Sequence, residues 1–137
     1  MILPVDAKIV KALDPLAAAA ADDRTVEVDT AGYTDVTCLL FVDSCATASA
    51  LKAQQSDTSG SGQATLDGAE VTVTTDANQV YYLHISKPLE RYITFWVDKA
   101  GATQESAIVI LSNPSEAPVA AHGSGVSGTV VYSPAEA

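Results

Sequence analysis

Tyr92-Ile93-Thr94-Phe95-Trp96-Val97 is an unbroken run of β-branched and aromatic residues. Such a run reads as a strand. Side chains alternate along a strand, so Ile93, Phe95 and Val97 point one way and Tyr92, Thr94 and Trp96 the other. Val80-Tyr81-Tyr82-Leu83-His84-Ile85 repeats the pattern, with the loop Ser86-Lys87-Pro88-Leu89-Glu90 in between. Upstream, Glu70-Val71-Thr72-Val73-Thr74 alternates cleanly, and Asp76-Ala77-Asn78 turns the chain. A short strand is expected near Ala64 to Leu66, and a less strongly marked one at Ala50 to Gln54. Val36 to Val42 is nearly all apolar, as in a strand covered on both faces. Thr25-Val26-Glu27-Val28-Asp29 alternates again, and Ala31-Gly32 marks a turn. Downstream, Gly101 breaks the connection before the last core strand, Ala107 to Leu111. Regular spacing of this kind predicts an all-β fold, a β-sandwich or jelly roll of about eight antiparallel strands.

The ends differ from this core. Asp6 is placed to cap a short turn carrying Ile9, Val10 and Leu13 on one side. Asp14-Pro15 then reads as an N-cap followed by proline at the first helical position, with Ala17 to Ala21 continuing the helix. Met1-Ile2-Leu3-Pro4 lacks the basic start of a secretory signal, and Asp6, Lys8, Lys11 and Asp14 interrupt any apolar stretch. After Asn113, the prolines 114, 118 and 134 and the glycines 123, 125 and 128 give an extended tail with one apolar patch, Thr129-Val130-Val131-Tyr132. That patch either folds back on its own sheet or adds a strand to a neighbour's sheet edge. The organisation expected is an N-terminal arm with a short helix (1–23), a sandwich domain (24–113) and a C-terminal tail (114–137).

The 137 residues amount to one domain. Asp and Glu outnumber Lys and Arg by 17 to 7, a net charge of −10. That balance argues against nucleic acid as a partner, because phosphate binding draws on clustered cations. No apolar run approaches the ~20 residues of a membrane span. The 47% hydrophobic content suits a folded domain.

Residue chemistry argues against an enzyme. Cys38 and Cys45 have an odd separation, which puts them on opposite faces of a continuous strand, and they read as two buried free thiols. With only His84 and His122 to join them, the spacing of a zinc site is missing, and no metal or other cofactor is expected. His84 lies on the strand face opposite Tyr81, Leu83 and Ile85 and reads as a surface or interface residue. No Gly-x-Ser-x-Gly elbow is present. Ser59-Gly60-Ser61-Gly62 lacks the lysine and following helix of a phosphate-binding loop and reads as a mobile tip. Carboxylates such as Asp67 and Glu70, or Asp35 and Asp43, have no fixed separation and read as solvated.

One feature exceeds this background. If the strands at 80–85 and 92–97 are neighbours, Tyr82, His84, Tyr92 and Trp96 form one aromatic surface. Tyr and Trp are favoured anchors at protein interfaces. Aromatic rings also stack on sugars, so a carbohydrate- or receptor-binding module is the alternative. The candidate contact residues are Leu3, Val5, Ile9 and Leu13 in the arm, Tyr82, Tyr92 and Trp96 on the sheets, and Val130, Val131 and Tyr132 in the tail.

Several segments resemble small virion proteins of tailed bacteriophages: Val26-Glu27-Val28-Asp29-Thr30-Ala31-Gly32-Tyr33, Leu51-Lys52-Ala53-Gln54-Gln55-Ser56-Asp57, Arg91-Tyr92-Ile93 and Ile108-Val109-Ile110-Leu111. Across roughly residues 25–112 the chain resembles the capsid cement (decoration) proteins of Bordetella-type short-tailed phages. The resemblance implies a jelly roll outside an HK97-like shell, made in the host cytoplasm and clamping neighbouring major capsid proteins without covalent links. It implies no catalytic residues. It also implies homo-oligomers, with a homodimer the first expectation and a trimer the second. The arm and tail match less well and would be the partner-specific parts. An acidic surface suits the outside of a DNA-filled shell.

Overall fold

The computed structural model describes residues 6–15, 17–115 and 122–129. Among them are nine strands and no helix. They are β1 (Ala7–Leu13), β2 (Asp23–Arg24), β3 (Val28–Asp29), β4 (Tyr33–Cys45), β5 (Ser49–Ser56), β6 (Ala64–Val73), β7 (Gln79–Ser86), β8 (Tyr92–Asp98) and β9 (Thr103–Pro114). One sheet has the order β1-β9-β4-β7 and the other β2-β8-β5-β6, with β3 also on β8. Because β2 meets Val97 and Trp96 while β3 meets Ile93 and Tyr92, the two are halves of one interrupted strand. Every pairing is antiparallel.

The pairings nest. β1 pairs with β9, β2 and β3 with β8, β4 with β7, and β5 with β6. The nested ribbon is then rolled, so that β4 also meets β9 and β5 also meets β8. That is the pairing scheme of a jelly roll. The core lies between the sheets. Val36, Cys38, Leu40, Ala107, Val109 and Leu111 come from the first sheet, and Leu51, Val73, Ile93, Phe95 and Val97 from the second. Phe95 is the largest fully buried side chain, and its neighbours Ile93 and Val97 point inward with it, as the alternation predicts.

The N-terminal helix is not found among the described residues. Ala7–Leu13 is an edge strand on β9, with Ile9 opposite Ile110 and Val10 opposite Val109, so Ile9 and Val10 face opposite ways. Farther on, Ala19 exchanges both backbone hydrogen bonds with Thr103, at 3.2 and 3.0 Å. A short alanine helix is marginal alone, whereas the free edge of β9 offers unpaired backbone groups to an extended chain. Leu3, Val5, Val130, Val131 and Tyr132 lie outside the described residues.

The cysteines also differ from expectation. Both are buried and free, but they share the core. A register shift between Val42 and Ser44 in β4 inserts one residue against β9 and resets the alternation. Cys45 therefore turns back to the side of Cys38. The loop at 59–62 is not a loose tip either. Glu27 accepts hydrogen bonds from Ser59 Oγ at 2.7 Å, Gly60 N at 3.0 Å and Gln63 Nε2 at 3.3 Å. The serine-glycine loop does cradle an anion, and the anion is the protein's own carboxylate. These bonds, the one from Ser59 first, hold the Glu27 pKa below its ordinary value.

Candidate interaction surface

The two outer faces of the sandwich are chemically unlike. On the second sheet, Trp96 lies in a row with Arg24, Lys52 and Glu70. The guanidinium of Arg24 sits 5.1 Å and the ammonium of Lys52 5.9 Å from the indole ring. Lys52 is also paired to Asp98 at 2.8 Å, and Arg24 donates to Gln54 at 2.6 Å. These long side chains cover the ring, and Trp96 is only 8% exposed. Tyr92 has Arg91 stacked at 5.2 Å, and Arg91 in turn clamps Asp29 through two bonds of 2.8 Å. This face is polar and internally paired.

The outer face of the first sheet is apolar. Register places Val80, Phe41 and Ser106 in one row, Tyr82, Leu39 and Ile108 in the next, and His84, Thr37 and Ile110 in a third. Tyr82 is 69% exposed, Val80 59% and Phe41 42%. The first two rows form a continuous apolar strip that runs out to β7, an edge strand with no partner on its far side among the described residues. A groove of about 450 Å³ opens at the end of the strip, lined by Phe41, Val80, Asp43, Asn78, Gln79 and Ser106 among others. The reading of 36–42 as doubly covered therefore needs correction, because the second face of β4 is left open.

Beyond the strip the face turns polar. His84 Nδ1 lies 2.6 Å from Thr37 Oγ1, and its Nε2 lies 3.2 Å from Asp35 Oδ1. Thr34 Oγ1 donates to Asp35 at 2.9 Å, and Asn113 Nδ2 donates to the same carboxylate. Hydrogen bonds from Ser86 and Asn113, opposed by burial and joined by those from Thr34 and His84, hold the Asp35 pKa down at about 2. Hydroxyl, imidazole and carboxylate stand in line here, but Thr37 is a mid-strand residue and not the strained elbow that activates a nucleophile. The arrangement covers and satisfies a buried carboxylate.

Tyr82 and Trp96 are not brought together. β7 belongs to the first sheet and β8 to the second, so no joint aromatic surface forms. Of the sheet candidates only Tyr82 is openly exposed. Ile9 and Leu13 are partly buried in β1, and Leu13 packs against the core. Leu39, Phe41, Ile108 and Ile110 are surface residues missed in sequence. Their signal was present as apolar residues at both parities of the 36–42 and 107–111 runs. Alternation alone does not say whether a second apolar face is covered.

No family model and no curated protein matches this sequence. Solved structures similar in fold include two phage-derived proteins. The exported protein XepA of PBSX aligns with a TM-score of 0.57 at 17% identity, over 93% of this chain and 43% of XepA. The SPBc2 prophage-derived protein YomS aligns with a TM-score of 0.50 at 17% identity, over 80% of this chain and 97% of YomS. The chain thus spans less than half of XepA and nearly all of YomS. Similarity at this identity concerns the fold, and the fold is one that phage-derived proteins carry.

Proposed function

We propose that this chain is a virion structural protein, a cement protein on the outside of an HK97-like phage capsid that clamps neighbouring major capsid proteins without covalent links between subunits. The observation that carries this reading is the apolar strip of Val80, Phe41, Tyr82, Leu39 and Ile108 beside the open edge of β7. Edge-strand hydrogen bonds supply affinity there, and the aromatic and aliphatic side chains supply buried area. The phage origin of XepA and YomS supports it, as does the acidic charge, which suits a surface remote from packaged DNA. Repetition over a shell lattice multiplies contacts that are individually modest.

The test is co-sedimentation with phage shells lacking the protein. The native chain pellets with them and raises their resistance to heat. Tyr82→Asp and Val80→Asp leave the isolated fold intact and weaken binding by at least about tenfold, as loss of a central anchor does. Wild-type binding by both variants would remove the strip from the interface. Failure of the native chain to bind any shell would end the cement reading. A carbohydrate- or receptor-binding module is the second reading, favoured by the exposed ring of Tyr82 alone. It predicts glycan-array hits that vanish in Tyr82→Ala.

A further inference from the structure

At the end of the sandwich where β2, β8 and β9 converge, the Lys99 side chain is fully buried. Its Nζ lies 2.6 Å from Asp23 Oδ2 and 2.8 Å from Glu105 Oε1. It also donates to the carbonyls of Ala19 at 3.1 Å and Thr103 at 3.4 Å. Glu105 is almost wholly buried, and neither of its oxygens has an aligned hydrogen-bond donor despite the nearby ammonium. The Thr103 hydroxyl is likewise buried without a partner. A buried amine thus sits between a buried, unsatisfied carboxyl and a second carboxyl that is partly open to water.

We infer that Lys99 and Asp23 condense to an intramolecular isopeptide bond, with Glu105 carrying the proton. A Lys99 proton passes to the Asp23 carboxylate, leaving a neutral amine beside a carboxylic acid. The Nζ lone pair attacks Asp23 Cγ. Glu105 takes the second proton from nitrogen and returns it to the departing hydroxyl. One Nζ–Cγ bond forms, one Cγ–O bond breaks, and one water leaves, so that –NH3⁺ plus –COO⁻ becomes –CO–NH– plus H2O. Glu105 ends as it began, and no other reactant enters.

Several observations fit this chemistry. Fixed contact between the reacting groups replaces a bimolecular encounter. Asp23 keeps about a quarter of its side chain exposed, at 25%, which gives the water an exit. Burial, then the nearness of Asp23, raises the Glu105 pKa, and the same nearness is the main cause lowering the pKa of Asp23. Burial pulls the Lys99 ammonium down, but its bonds to Asp23 and Glu105 outweigh this and the net shift is upward. The ion pair is therefore the resting state, and the reactive neutral pair is reached by a proton hop across 2.6 Å.

The bond would join residues 76 positions apart and tie β2 to the turn that follows β8. The test is the intact mass of the purified full-length chain, measured after denaturation. The expected mass is about 18 Da below that of the sequence, the loss of one water. Digestion then yields a branched peptide joining 23 to 99. Lys99→Arg and Glu105→Gln show no loss. Asp23→Asn loses about 17 Da, because ammonia leaves instead. A folded wild-type chain at full mass after prolonged incubation at neutral pH would overturn the proposal and leave an ordinary buried ion cluster. That measurement needs no variant to fold, and it is independent of shell binding.

Discussion

Asp35 shows how one side chain becomes part of the fold. It lies on the outer face of β4, yet it is buried because Thr34, His84, Ser86 and Asn113 close over it. Its folded pKa of about 2 is below the ordinary value of 3.8. A depressed carboxylate contributes stability at pH above its unfolded pKa, and that contribution is lost as pH falls through the folded one. Acid titration followed by circular dichroism is expected to show stability falling between about pH 4 and pH 2. In Asp35→Asn, neutral-pH stability is lower and that acid-dependent component is gone. Cys38 makes the opposite point. Burial alone pushes its thiol up to about 12, so no thiolate forms near neutrality. Native protein at pH 8 is expected to leave Cys38 unlabelled by iodoacetamide, with labelling only on unfolding. Rapid native labelling would mean that the core opens at β4.

At the scale of the element, edges decide most. β1 is an edge strand, and the segment from His122 covers it. Ile9 N donates to His122 Nδ1 at 2.9 Å, and Gly123 N donates to Ile9 O at 2.8 Å. Glycine permits that approach, since a Cβ at 123 would sit 3.0 Å from Val10 Cα. The tail thus folds back on its own sheet at residues 122–125, satisfying an edge that would otherwise attract another strand. His122→Ala is expected to speed hydrogen exchange at the Ile9 amide by at least about tenfold while β4 and β9 stay protected. Unchanged exchange would show that the edge has other cover. β7, the opposite edge, has no comparable cover among the described residues, and it is the edge that the proposed clamp uses.

At the scale of the whole molecule, the sandwich is two-faced. One outer face pairs Arg24, Lys52 and Arg91 with rings and carboxylates, and the other presents Tyr82, Val80 and Phe41. Shell binding that fails with Tyr82→Asp is therefore expected to survive Thr72→Asp, an exposed position on the charged face. Equal losses from both faces would mean that the chain is gripped all round and that the asymmetry has no bearing on binding.

The strands of the core, the turns at Gly32 and Asn78 and the inward set of Ile93, Phe95 and Val97 were legible in sequence. Alternation and turn chemistry are local, and each is written within a few residues. The N-terminal helix was misread for the same reason. Local signals at Asp14-Pro15 and the alanines say nothing of the open edge of β9 that draws Ala19 into an extended bridge. Which sheet a strand joins, and so whether Tyr82 meets Trp96, depends on nested pairings between residues many tens of positions apart. The bulge that returns Cys45 to the core exists only against β9. The meeting of Asp23 with Lys99 and Glu105 left no spacing to find, since Asp23 lies 76 residues before Lys99 and reaches it only when the ribbon rolls up.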